Sequence, residues 1–204
     1  MPSSRAQSSA SDRCLVALDL GLPRLLRVRM PVPRIASSAG LWLPLLAIVI
    51  ALLSACSQGP KDINLGQTAP TFTAIDLAGR PIRLPAAAAG RPIVLHFWAD
   101  WCQYCEPELR DMEPIYQDLR TRGLEIYAIN AGQDRETTAA LVGKINATYP
   151  TLLDENSAIV DAYGVVGLPT TFFIDGKGIV RGKLAGGADA SVFRQQAEAL
   201  LRSP

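Results

Sequence analysis

The chain has 204 residues, 20 Lys+Arg against 19 Asp+Glu, and a formal net charge of +1. With 49% hydrophobic and 19% charged residues, it has apolar material for one packed domain or two small ones, which argues against wholesale disorder. The balanced charge excludes the basic surplus of a nucleic-acid binder, four cysteines are too few for a disulfide scaffold, and a single histidine excludes a His-rich metal site.

These averages conceal a split. Residues 1–55 carry six Arg, no Lys and only two acids, Asp12 and Asp19, which leaves residues 56–204 with a net charge of −3. Leu41–Leu53 is an uncharged run of 13 residues. A spanning helix needs roughly 20, so this run has the size of a signal-peptide core. Arg24, Arg27, Arg29 and Arg34 form a basic flank upstream, and Leu53-Ser54-Ala55-Cys56 downstream resembles a bacterial lipobox. The expectation is a lipoprotein signal that starts at Met30 and ends at Ala55, with Cys56 lipidated. Residues 1–29 are then an extension and Cys14 has no function. An uncleaved anchor with an incidental cysteine is the alternative. Both readings place the mature chain outside the cytoplasm, on the periplasmic face of a membrane, inner or outer. Residues 56–66 are polar and turn-rich and read as a tether; 67–204 read as the folded domain.

Within that domain, Thr71–Asp76, Ala78-Gly79-Arg80 and Ile82–Leu84 predict a hairpin. Ile93–Trp98 is a short apolar run suited to a buried central strand. Leu109, Met112, Ile115, Tyr116 and Leu119 recur at spacings of three and four, which predicts a helix over 102–122, interrupted by Pro107 and kinked at Pro114. A second buried strand over Leu124–Asn130, a helix over Asp134–Ala147, a strand at Thr151–Leu153 and a short helix over Ser157–Tyr163 follow. Thr170–Ile174 and Ile179–Lys183 are strands joined by Asp175-Gly176-Lys177-Gly178, and Asp189 or Ser191 caps a last helix through Leu201. The order predicts an α/β fold, a mixed sheet with helices on both faces.

Cys102-Gln103-Tyr104-Cys105 lies at the end of the apolar strand and the start of the first helix. Free N–H groups and partial positive charge at a helix N-terminus stabilise a thiolate, which makes Cys102 a nucleophile near neutral pH. Cys105, one turn on, is placed to attack a mixed disulfide. A static disulfide and half of a metal site are competing readings; the first restrains little chain, and the second lacks a further Cys/His pair.

Phe97-Trp98-Ala99-Asp100-Trp101-Cys102-Gln103-Tyr104-Cys105 resembles the thioredoxin active-site segment. Gly167-Leu168-Pro169-Thr170 and the strand and hairpin after it resemble the cis-proline loop of that fold. Gly66–Ile75, Glu108 and Arg122–Ile126 are similar to the exported TlpA/ResA-like disulfide reductases, as is an extra strand–helix segment over about 131–163. The resemblance covers about residues 65–202 and implies a thioredoxin-like mixed sheet with an N-terminal hairpin and a central strand–helix insertion. Two positions depart from the pattern: the dipeptide between the cysteines is Gln-Tyr, and Arg110 stands where relatives have a helix proline.

The resemblance implies a membrane-tethered thiol–disulfide oxidoreductase in which Cys102 attacks a substrate cystine and Cys105 resolves the mixed disulfide. It implies a cis Pro169, with the Leu168 backbone, Trp101, Gln103 and Tyr104 facing the substrate. His96 stands where thioredoxin has a buried acid, and two readings stay open: a satisfied core histidine, or a proton acceptor for Cys105. Glu108 is either a solvated helix carboxylate or a charge that tunes the thiols. Implied partners are protein thiols and disulfides, of cytochrome c or copper-site maturation type, and a membrane electron donor. No cofactor, metal or nucleic acid is implied. A disulfide-forming oxidase is the main rival. A peroxidase would need a separate peroxidatic cysteine, and a Sco-like metallochaperone would need CxxxC and a later histidine.

Overall fold

The computed structural model describes residues 62–202. The expected signal, the start at Met30, Cys14 and the lipidated Cys56 lie outside the described residues. Seven strands form one mixed sheet: β1 (Phe72–Asp76), β2 (Pro81–Leu84), β3 (Ile93–Trp98), β4 (Glu125–Ala131), β5 (Thr151–Asp154), β6 (Thr170–Ile174) and β7 (Val180–Ala185), in the order β2-β1-β5-β4-β3-β6-β7. β3, β4 and β5 run parallel, which requires crossovers; α1 (Cys105–Leu119) joins β3 to β4, and α2 (Arg135–Ile145) joins β4 to β5. α3 (Ala158–Ala162) precedes β6, which is antiparallel to β3, and α4 (Ala190–Leu201) closes the chain.

β3 is buried along its whole length and alternates between two cores. Val94 and Trp98 pack under α1, α2 and α4 with Leu109, Met112, Leu141, Phe193 and Leu200. Ile93, Leu95 and Phe97 pack on the opposite face with Tyr127, Ile129, Ile159, Tyr163 and Phe172. His96 therefore points to the α1 side, because it shares the parity of Val94 and Trp98.

Three boundaries differ from expectation. α1 begins at Cys105 rather than Cys102, because residues 102–105 form a turn closed by Cys105 N–H donating to Cys102 O at 3.0 Å. Pro107 sits in the first turn, where its missing N–H costs no helical bond, and the helix runs unbroken through Pro114 to Leu119. The docked chain also starts before residue 67: Ile63 is buried, and Gly66 N–H donates to Val180 O at 2.8 Å, so this end of the expected tether lies along β7. Asp134 caps α2 by accepting from Thr137 N–H at 2.8 Å, whereas Asp189, at the head of α4, makes no side-chain cap bond. Cis peptides stand at Leu168–Pro169, as expected, and also at Leu84–Pro85, which no sequence signal marked.

Candidate active site

Cys102 and Cys105 form a disulfide with a Cα–Cα distance of 5.3 Å, held where β3 ends and α1 begins. Cys105 is fully buried, and Cys102 keeps 7% of its surface. Of the two, the residue assigned as nucleophile is the one that keeps some accessible surface, although it lies in the turn before the helix and not in its first turn. The N-terminal N–H groups of α1 and their partial positive charge still face this turn. Trp101 is 70% exposed and Tyr104 60%. With the exposed Gln103 they surround the disulfide with a rim of two large rings, an unusual disposition for such side chains in a domain otherwise well packed.

The loop before β6 supplies the second wall. Thr170 Oγ1 donates to Gly167 O at 2.7 Å, and Gly186 N–H donates to Pro169 O at 2.8 Å, which pins the cis-proline between the ends of β6 and β7. Pro169 is buried and Leu168 half-buried. The Leu168 backbone makes no hydrogen bond among the described residues, so its N–H and C=O remain available to an extended chain. Gly187 approaches from the loop before α4: a Cβ there would lie 3.3 Å from Tyr104 Cβ. A shallow cleft there is lined by Tyr104, Pro107, Glu108, Asp111, Gly187 and Asp189.

Below the rim sit two buried titratable groups. His96 is fully buried; its Nδ1 lies 2.9 Å from Thr171 Oγ1 and 3.8 Å from Glu108 Oε1. Burial pushes the imidazole pKa down to about 3, so the ring is neutral and its approach to Glu108 is not an ion pair at neutral pH. The structure brings His96 to Thr171 and Glu108; its Nε2 has no hydrogen-bond partner, and no bond joins the ring to either sulfur. Glu108, one helical turn after Cys105, is 5% exposed and not the solvated carboxylate that was one expectation. Its Oε2 accepts a long bond from Ala188 N–H at 3.4 Å, and Oε1 has no partner. Burial, aided by the charge of Asp111 and opposed by the Ala188 bond, raises its pKa to about 7.

Gln133 completes the site and carries no sequence signal. Its Oε1 accepts from Asp100 N–H and from Asn130 Nδ2, each at 2.9 Å, and its Nε2 donates to the Asp100 carboxylate. This ties the loop bearing Trp101 to the end of β4. Among the described residues no group of three or more His, Cys, Asp or Glu side chains is gathered to hold a metal ion, and no helix is long and apolar enough to cross a membrane.

Residues 65–183 match the AhpC/TSA family. The thiol-disulfide oxidoreductase ResA of Geobacillus thermodenitrificans is 34% identical over 138 residues, which span 68% of this chain and 79% of the relative. ResA of Bacillus subtilis is 32% identical over 134 residues, 66% of this chain and 74% of the relative. Among solved structures, the Chlorobium tepidum protein assigned as thiol:disulfide interchange protein DsbE aligns with a TM-score of 0.65 and 26% identity, over 69% of this chain and 99% of its own. With its mixed α/β sheet, its cis-proline loop and a CxxC pair at bonding distance, the chain belongs to the AhpC/TSA family of the thioredoxin superfamily and is a thiol–disulfide oxidoreductase.

Proposed function

We propose that the chain is a membrane-tethered, extracytoplasmic disulfide reductase for protein substrates. The observation that carries the reading is the placement of the CxxC pair: a nearly buried sulfur under an aromatic rim, facing an unpaired Leu168 backbone. That wall suits an extended polypeptide, which would pair with Leu168 as an added strand while Trp101 and Tyr104 cover its side chains. The lipobox-like segment ending at Cys56 supports the tether. Cysteine pairs awaiting haem or copper are the substrate class that the family resemblance favours, and a membrane dithiol is the donor.

In the reductive half-reaction the Cys102 thiolate attacks one sulfur of the substrate cystine. The substrate S–S bond breaks, a mixed disulfide forms, and the departing thiolate takes a proton from water. Cys105 then loses its proton to the Glu108 carboxylate, and its sulfur attacks Cys102 Sγ. The second substrate thiolate leaves and is protonated by water. The enzyme dithiol is oxidised to the disulfide as the substrate gains two electrons and two protons. Glu108 fits the role of acceptor because a base that titrates near 7 is matched to neutral pH.

Reduction potential separates this reading from its rival. Equilibration of the full-length protein with a thiol standard is expected to place it near thioredoxin, at about −270 mV; a value near about −120 mV would make it an oxidase. Cys56→Ala is expected to abolish incorporation of labelled fatty acid, and retained label would remove the tether from the reading.

A further inference from the structure

The proton path has a member that the exchange chemistry does not use. The neutral His96 ring carries one N–H, on either Nδ1 or Nε2. Nε2 has no partner in its buried site, whereas Nδ1 has Thr171 Oγ1 at 2.9 Å and Glu108 Oε1 at 3.8 Å. A buried donor without an acceptor is costly, so the proton belongs on Nδ1, where Thr171 Oγ1 at 2.9 Å accepts it and Glu108 Oε1 lies 3.8 Å away. Glu108 Oε1 likewise has no hydrogen-bond partner and lies 3.8 Å from Nδ1, close enough for an electrostatic contact.

We propose that His96 is the positioning residue for Glu108: its Nδ1–H orients the carboxyl and stabilises the carboxylate, so that the two groups act as one proton-holding couple beneath the disulfide. The proposal rests on the reading of Glu108 as the acceptor of the Cys105 proton. Strand pairing builds the couple, since His96 stands opposite Thr171 of β6 and Ala128 of β4, and neither neighbour carries a charge. The polar groups that line the cleft with Glu108 are Tyr104 and Asp111 from the turn and α1, and Asp189 and the Ala188 N–H from the loop before α4; Cys105 stands one helical turn before it. Asp111, exposed and acidic, opposes ionisation of Glu108. Among the described residues, His96 is the only basic side chain within 4.0 Å of the Glu108 carboxylate. Two groups this close titrate as a pair, and a probe on one should record the ionisation of the other.

Because His96 is the only histidine of the chain, its imidazole nitrogens give unambiguous NMR signals. The experiment uses the full-length protein in its disulfide form, in which neither cysteine titrates. The imidazole ¹⁵N resonances are expected to step near pH 7, in the range where Glu108 ionises, and to lose that step in Glu108→Gln. In the dithiol form, the rate at which Cys105 resolves a mixed disulfide should rise with pH through the same inflection. His96→Leu removes the donor, so Glu108 ionises at higher pH; a displacement of about one unit cuts the rate at pH 7 about fivefold. His96→Asn keeps a donor where Nδ1 stands and should restore the rate to within about twofold of wild type. A purely structural histidine would move neither the inflection nor its rescue. Imidazole signals that stay flat across the Glu108 titration, or that step unchanged in Glu108→Gln, overturn the couple, and this holds even if His96→Leu fails to fold. Unchanged resolution in Glu108→Gln instead overturns the reading of Glu108 as acceptor.

Discussion

The two faces of the central sheet are built to different rules. On the face covered by α3, Phe97, Tyr163 and Phe172 meet at centroid separations of 5.2–5.9 Å, and Tyr163 Oη donates to Pro70 O at 2.8 Å. On the α1 face lie the five buried side-chain atoms without a partner among the described residues: His96 Nε2, Trp98 Nε1, Glu108 Oε1, Asn130 Oδ1 and Thr151 Oγ1. Strand parity assigns the last two, since Asn130 lies two residues after Ala128 and shares its face, and Thr151 stands opposite Ala128. Each such atom costs about 1–3 kcal/mol, a burden that a face serving stability alone would avoid. Both faces pack a core, but only the face that also packs the disulfide carries these unpaired polar atoms among the described residues.

Substitution on each face tests the division. Cys102→Ser should lower disulfide exchange at least about a thousandfold, while the unfolding free energy in the reduced state moves by less than about 1 kcal/mol. Cys105→Ser should accumulate mixed disulfides with substrates, visible on non-reducing gels. Phe97→Ala should do the reverse, costing about 3–5 kcal/mol in urea unfolding with the reduction potential unchanged. A shifted potential in Phe97→Ala would erase the distinction between the faces.

The pH dependence of stability sharpens it further. Glu108 is raised from 4.5 to about 7, so between those values the native state holds a proton that the unfolded chain has released. Stability from this group falls as pH rises through that window, by on the order of 3 kcal/mol. His96 is lowered from 6.5 to about 3, so the unfolded chain binds the extra proton there, and stability falls as pH drops. From pH 4.5 to 6.5 native and unfolded states hold one proton each on this pair, and the two slopes cancel. In each variant's own urea-unfolding profile only the remaining slope survives, so Glu108→Gln should gain stability with rising pH from 3 to 6.5. His96→Leu should lose it from 4.5 to 7. Variants that track wild type in parallel would show that the two groups titrate in the native state as they do in the unfolded chain.

What could be read in the sequence follows the same division. β3, α1 and the β6–β7 hairpin declare themselves because apolar runs, three-and-four spacing and Asp-Gly turns are local signals. The cysteine pair and Pro169 were legible from motif. Glu108 stays between two readings and Gln133 carries no signal, because their roles depend on what stands across from them: an imidazole from β3 in one case and an active-site loop in the other. The three-residue error at the start of α1 has a similar origin, since a turn closed by Cys105 N–H and Cys102 O satisfies the same spacing as a helical turn. Docking of Ile63 and Gly66 along β7 also escaped, because the contacts are backbone bonds to a strand more than a hundred residues away.

The smallest expected effect concerns the link between the loop and β4. Gln133 has only one orientation that satisfies its surroundings: Oε1 takes the two N–H donors, and Nε2 faces the Asp100 carboxylate. Gln133→Ala removes all three bonds and leaves the buried Asn130 amide, already short of a donor for its oxygen, without an acceptor for its N–H. Because Gln133 is half-buried and Asp100 exposed, water replaces part of the loss, and the cost should be about 1 kcal/mol in urea unfolding. Gln133→Glu keeps the acceptor but sets a second carboxylate against Asp100. At pH 7 it should therefore be less stable than Gln133→Ala, and the order should reverse at about pH 4, where one of the two acids takes up a proton and can donate. Equal stability of the two variants at both pH values would mean that the loop is held by its own turn, closed by Cys102 N–H on Ala99 O at 3.2 Å, and that the active face needs no brace from β4.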